Sequence, residues 1–234
     1  MKIEILTIFP QLFESVFSAG MVWQGSHKQA VEIEVTDLRQ FTNDRHRTVD
    51  DRPYGGGEGM VLKPEPIFKA VDKAKEKCPQ GVHVVLLTPQ GQLFNQGVAN
   101  RLVQYEHLIL ICGRYEGVDQ RVADHLVDEE ISIGDFVLTG GEIPAMLVTD
   151  AVTRLIPGVV GNPSSVLEDS FMNGILDYPH YTRPSEFRGY KVPSVLLSGD
   201  HGKVQVWREE QADRVTLSNR PDLFSGKRDT RCET

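Results

Sequence analysis

Cysteine is scarce: the 234 residues hold only three, Cys78, Cys112 and Cys232, far apart and never as CxxC. An odd, scattered set specifies neither a disulfide framework nor a zinc site. Long apolar runs are missing too, and none approaches the about 20 residues that cross a bilayer. The opening stretch, MKIEILTIF, interrupts its apolar residues with charge and lacks the small-residue cleavage site of a signal peptide. A soluble, cytoplasmic protein without a membrane partner is expected. No GxGxxG and no GxxxxGK occurs, so neither a dinucleotide fingerprint nor a P-loop is present. The histidines show no metal spacing, and there is no internal repeat. The net charge of −8 excludes a uniformly basic coat. Acids outnumber bases before residue 175 and roughly balance them beyond it, which permits a polyanion partner without demanding one.

What is present is a chain of 40% hydrophobic residues, enough for a real core. Short apolar runs, 2–9 (KIEILTIF), 31–35 (VEIEV), 83–87 (HVVLL), 108–112 (LILIC) and 131–138, read as strands. Between them, residues 11–22, 67–77, 98–103, 118–127 and 143–155 place apolar side chains at helical spacing. Alternating strands and helices imply an α/β domain with a parallel sheet covered on both faces, ending near Val160. Residues 108–144 dominate this pattern. Two apolar runs there end at glycine turns, and ligands of open α/β sheets bind beyond the carboxyl ends of the strands.

Two stretches break the pattern. Residues 37–60, DLRQFTNDRHRTVDDRPYGGGEGM, are polar and long for a structureless loop; such loops are functional or disordered, and an ordinary flexible loop of mixed charge is an equal reading. Arg45, His46, Arg47 and Arg52 offer donors to phosphate, Asp50 and Asp51 oppose them, and the glycines allow close backbone approach. Residues 158–174, GVVGNPSSVLEDSFMNG, lack periodicity and read as a mobile linker, assigned here to 161–174. Residues 175–234 form the expected second domain. It is small and mostly helical, with its main helix over 203–219.

Several motifs carry a resemblance. GRYEGVDQR (113–121), SIGDFVLTGGE (132–142), VDDRPYGGGEGM (49–60), TPQG (88–91) and YPHYTRP (178–184) resemble the bacterial tRNA (guanine-N1)-methyltransferase family, as do TIFPQLF and VPSVLLSGDHGKVQVWR. The resemblance runs from Met1 to about Leu223. Phe136 stands where the family pattern has tyrosine and Thr88 where it has serine; the backbone of Phe136 still serves as a contact. The resemblance implies a SPOUT-type catalytic domain over 1–160 with a deep trefoil knot around residues 86–140, which periodicity does not reveal and chain-threading rules would disfavour. It further implies a homodimer with active sites at the subunit interface, and a tRNA-binding role for 175–234.

The implied cofactor is S-adenosylmethionine. Leu87, Gly113, Tyr115, Ile133, Gly134, Asp135, Phe136, Val137, Leu138, Gly140, Gly141 and Pro144 match the family's binding loops. Backbone amides and carbonyls suit the edge of adenine, and Leu87, Ile133 and Leu138 suit its faces. The implied acceptor is N1 of the guanosine 3′ of the tRNA anticodon, position 37. Neutral guanine carries a proton on N1, so a general base is useful. Asp169 matches that base, and Arg154 matches a guanidinium that stabilises negative charge spreading to O6. By residue type alone, an aspartate in a Ser/Gly/Pro linker is ordinarily a solvated turn residue, and an arginine in a last helical turn ordinarily complements the dipole. Magnesium dependence belongs to the family picture, but no ligand set is visible and no metal residue is assigned. Glu116 is as well explained as a surface carboxylate. Tyr178, His180, Tyr181, Arg183, Arg188 and Lys191 interleave aromatics with cations as RNA-loop recognition requires. Two other readings stay open: a related knotted methyltransferase with another RNA acceptor, and a non-catalytic RNA-binding factor.

Overall fold

A computed structural model describes residues 1–78, 81–161 and 168–225 of the chain. It divides into two compact units, Met1–Gly161 and Asn162–Thr234.

The first unit is built on five parallel strands: β1 (Lys2–Thr7), β2 (Glu32–Asp37), β5 (Val82–Leu93), β6 (His107–Cys112) and β7 (Glu129–Ser132), in the order β2-β1-β6-β5-β7. Every residue of β6, HLILIC, is buried, as expected of a central strand covered on both faces. Its side chains alternate between two cores. Leu108, Leu110 and Cys112 join Ile3, Ile5 and Val85 beneath α4 (Gln96–Leu102) and α6 (Glu142–Thr153). Ile109 and Ile111 join Leu6, Val84 and Leu86 beneath α3 (Pro64–Lys77) and α5 (Gln120–His125). Truncating any of these leucines or isoleucines to alanine costs about 2–5 kcal/mol.

The structure corrects two expected elements. The helix expected over 11–22 is broken into a 3₁₀ turn (Pro10–Phe13), α1 (Glu14–Phe17) and α2 (Gly20–His27). Gly20, at φ +71°, is the break. The extended run expected over 131–138 stops at Ser132. The Ser132 hydroxyl accepts the Gly134 N–H at 3.3 Å and donates to the Gly134 carbonyl at 3.2 Å, closing a turn that ends the strand.

The polar stretch 37–60 is more ordered than a loop. It opens with a 3₁₀ turn (Leu38–Phe41), and β3 (Asp50–Asp51) pairs antiparallel with β4 (Val61–Leu62). Strand β5 continues past Leu87 with a shift of register: Ile131 faces Leu87 and again Gln92, so residues 88–91 are looped out. At this crossing Gly91 lies against the backbone of Glu130 and Ile131, and a Cβ there would collide with both.

In the second unit, residues 169–175 form consecutive turns and bends. A two-stranded ribbon follows, β8 (Glu186–Phe187) with β9 (Tyr190–Lys191), then a 3₁₀ turn (Ser194–Leu197), α7 (His201–Asn219) and the short α8 (Asp222–Ser225). Asp200 caps α7 by accepting the Lys203 N–H at 3.1 Å. The buried Thr216 hydroxyl donates to the Ala212 carbonyl and accepts the Leu176 N–H, fastening the 175–176 segment to the helix. Part of the assigned linker, residues 162–167, lies outside the described residues.

Candidate cofactor site and nucleic-acid surface

The connections beyond the carboxyl ends of β6 and β7 meet the stretch of β5 looped out after Leu87, and together they enclose a hollow of about 340 Å³. Leu87 and residues 88–90 form one wall. Gly113, Tyr115, Glu116 and Gly117 form the second, and residues 133–141 without Asp135 form the third, closed by Pro144 of α6. All the residues matched to the cofactor therefore line one space except Asp135. Its size lies within the range of small-molecule sites, and its rim is apolar and open: Tyr115, Phe136 and Val137 are 50%, 53% and 89% exposed.

Gly141 shows why glycine stands here. A Cβ on it would lie 2.7 Å from the Cα of Cys112 and 3.0 Å from the Gly113 nitrogen, so the last loop presses backbone to backbone on the end of β6. The Gly141 N–H donates to the Gly113 carbonyl at 2.9 Å. Phe136, the departure from the family pattern, folds its ring over Gly134. Thr88, the other departure, accepts the Gln90 N–H at 3.3 Å.

A buried ion pair holds these loops. Glu142, 1% exposed in the first turn of α6, accepts from Arg114 Nε at 2.9 Å and from the Thr7 hydroxyl at 2.9 Å. Arg114 also stacks its guanidinium over Phe9, 4.7 Å from the ring centre. One carboxylate thus ties the end of β1, the loop after β6 and the entry to α6. Burial, with the Glu142 charge beside it, pushes the Cys112 thiol well above its usual value and makes it inert. Sequence reasoning missed the roles of Thr7, Arg114 and Glu142. The only signal was a pair of charged residues beside glycine turns.

The residues matched to chemistry lie elsewhere. Arg154 is the half-buried residue capping the end of α6 in the first unit. Asp169, in the second unit, sits in the turn region whose neighbour Ser170 accepts the Asp177 N–H at 2.9 Å. Asp169, Tyr178 and Arg208 share a separate hollow of about 350 Å³ in that unit. Arg154 does not line the cofactor hollow. Among the described residues no group of three His, Cys, Asp or Glu is arranged to hold a metal ion, and none of the helices is long and apolar enough to cross a membrane.

The aromatic and cationic residues singled out for RNA are interleaved in space. Arg208 stacks on Tyr178 at 4.9 Å, and Tyr178 meets His180 at 4.7 Å. Tyr181 meets Trp207 at 6.3 Å, and Arg188 covers Phe187 at 5.2 Å. His180 is held by Asp177 at 2.7 Å, and Lys191 by Glu186 at 3.6 Å. Arg183 is exposed.

Comparison with known proteins decides the ancestry of this arrangement. The family model described as tRNA (Guanine-1)-methyltransferase TrmD matches residues 1–226. The chain belongs to this family. A tRNA (guanine-N(1)-)-methyltransferase of Dehalococcoides mccartyi is 53% identical over 224 residues, covering 96% of this chain and 90% of the relative. Proteins of the same name from Bacillus subtilis and Bacillus velezensis are 51% and 52% identical, each covering 96% of this chain and 92% of the relative. Identity this high across both units means that family membership covers the glycine loops and the second unit alike.

Proposed function

We propose that this protein transfers a methyl group from S-adenosylmethionine to N1 of the guanosine 3′ of the anticodon in tRNA. The observation that carries the reading is the hollow itself: three glycine turns, each within a family motif, converge at the carboxyl ends of three parallel strands. The residues fit the cofactor. Backbone approaches backbone closely at Gly141, Gly140 leaves room for the Arg114 and Glu142 side chains, and Leu87, Ile133 and Leu138 supply apolar walls. When bound, the sulfonium cofactor supplies an electrophilic methyl group. Asp169 takes the proton from guanine N1 as that nitrogen becomes nucleophilic, and Arg154 donates hydrogen bonds to O6 as charge gathers there. A base in the turn region that opens the second unit completes the site only once substrate is in place, which favours the correct acceptor. No step is assigned to magnesium.

The remaining parts of the reading follow from the same resemblance. The backbone crossings at Gly91 and Gly141 support a chain that threads its own loop, the trefoil knot over 86–140. Homodimerisation is supported by an apolar face on the neighbouring elements around α1, α2 and α6, where Leu12, Val16, Trp23, Ile143 and Leu147 are each more than 40% exposed. Two copies pairing there form active sites at their interface. Residues 175–225 grip the anticodon arm through the aromatic–cation pairs, in the cytoplasm, where tRNA is modified.

The test is labelled-methyl transfer to tRNA transcripts differing only at the base 3′ of the anticodon. Incorporation is expected with guanosine alone, and none into that transcript despite bound cofactor overturns the reading. Transfer to a different nucleotide, or RNA binding with no transfer, would favour one of the two readings the sequence left open.

A further inference from the structure

Residues 52–60, RPYGGGEGM, bring one side chain to an unusual place. Tyr54 is 100% exposed, and among the described residues none of the aromatic or cation–π pairs includes its ring. It stands at the head of a glycine loop whose Gly55, Gly56, Gly57 and Gly59 all have positive φ, from +81° to +124°. Nothing lies within 4 Å of a Cβ built on Gly55 or Gly56, so glycine is required there by backbone conformation and not by crowding.

The far end of the loop is fixed to the cofactor hollow. Gly59 packs on the Glu116 carboxylate, the Glu116 N–H donates to the Met60 carbonyl at 3.0 Å, and the Leu62 N–H donates to the Gly117 carbonyl at 3.0 Å. Glu116 and Gly117 both line the hollow. The near end is fixed by the β3–β4 pairing. Before β3, Asp44 accepts the N–H groups of His46 and Thr48 and the Thr48 hydroxyl, closing a turn that presents Arg45, His46 and Arg47 to solvent. The Tyr54 loop is therefore a lip of the cofactor hollow, continuous along the chain with a cationic turn. Asp44, Asp51 and Glu58 are the exposed acids of the same stretch, and the full exposure of Tyr54 leaves the face of the ring clear of them.

We propose that Tyr54 stacks on an unpaired nucleotide neighbouring the acceptor guanine, holding the RNA loop against the cofactor hollow. An exposed aromatic face beside arginines suits a splayed base, since every base offers a π-face and the phosphates meet the cations. The inference rests on the reading of this chain as a tRNA methyltransferase.

The experiment compares Tyr54→Ala and Tyr54→Phe with the wild type. Binding of an anticodon stem-loop is measured by fluorescence anisotropy without methyl donor, and binding of S-adenosylmethionine by calorimetry. Tyr54→Ala should bind the stem-loop about 5- to 150-fold more weakly, and Tyr54→Phe within about twofold of wild type. Cofactor affinity should be unchanged in both. Replacing the neighbouring nucleotide by an abasic residue should weaken wild-type binding and leave Tyr54→Ala unaffected. Wild-type RNA affinity in Tyr54→Ala overturns the proposal. So does a Phe variant as weak as the Ala variant, or a parallel loss of cofactor affinity. A wild type that binds no stem-loop defeats the tRNA reading itself, which separates the two failures.

Discussion

Replacing Glu142 by glutamine tests whether the buried ion pair organises the cofactor loops. The substitution keeps the shape of the side chain and removes its charge. The carboxylate accepts from two donors, the Thr7 hydroxyl on Oε1 and Arg114 Nε on Oε2, both at 2.9 Å. An amide has a single oxygen, so one of these donors loses its acceptor. Thr7 Oγ1 accepts the Phe9 N–H at 3.0 Å and has a second lone pair for an amide N–H, but its own proton then loses the carboxylate acceptor. Leaving a buried donor unpaired costs about 1–3 kcal/mol. Removing the partner of a fully buried charge costs about 3–5 kcal/mol, and the 17% exposure of Arg114 places this case near the lower end. A loss of about 2–3 kcal/mol is expected, lowering the melting temperature by about 4–12 °C for a chain of this size. Because the pair bridges two walls of the hollow, S-adenosylmethionine should bind about tenfold more weakly, a 1.4 kcal/mol effect. Thermal unfolding and calorimetry on Glu142→Gln, Arg114→Met and the double variant measure both quantities. Single effects that add within about 0.5 kcal/mol would refute the coupling.

Asp169→Ala should abolish methyl transfer while cofactor affinity stays at wild type; equal loss of both in turnover and calorimetry would make the residue structural. Gly141→Ala should destabilise the fold by about 3 kcal/mol and abolish cofactor binding, whereas Gly161→Ala, with open space around its Cβ, should change stability by less than about 0.5 kcal/mol in denaturant titrations. Burial alone would raise the carboxyls of Glu4 and Glu129. His107, Thr36 and Lys2 around Glu4, and Arg101 and His83 around Glu129, outweigh burial and hold both below the usual value of 4.5. Each therefore adds stability that is complete above that value and is lost as pH falls through the lower folded value, so urea midpoints should drop below about pH 4.5, less steeply in Glu129→Gln. Leu147→Glu, placed on the exposed apolar face, should yield monomers in sedimentation velocity and abolish turnover.

Much of the first unit was legible because its signals are local. LILIC and VVLL are apolar throughout since each strand is covered on both faces, and the apolar face of α3 repeats within a single element. The cofactor loops were legible only as motifs; periodicity gave three separate turns and no reason for them to meet. The features that join them are relations between distant residues. Thr7 and Glu142 are 135 residues apart, and Arg114 and Glu142 are 28 apart, so no window of sequence contains the clamp. The looped-out residues 88–91 were equally hidden. TPQG reads as a turn that ends a strand, yet Gln92 rejoins the ladder against the same Ile131 that Leu87 has just met. Strand pairing can resume there because Gly91 lets backbone pass against backbone, and the Gly141 crossing repeats the device at the end of β6. Both glycines are kept from carrying a side chain by close backbone neighbours, Gly91 by Glu130 and Ile131 and Gly141 by Cys112 and Gly113. A substitution at either would disturb that packing before it acts on the hollow.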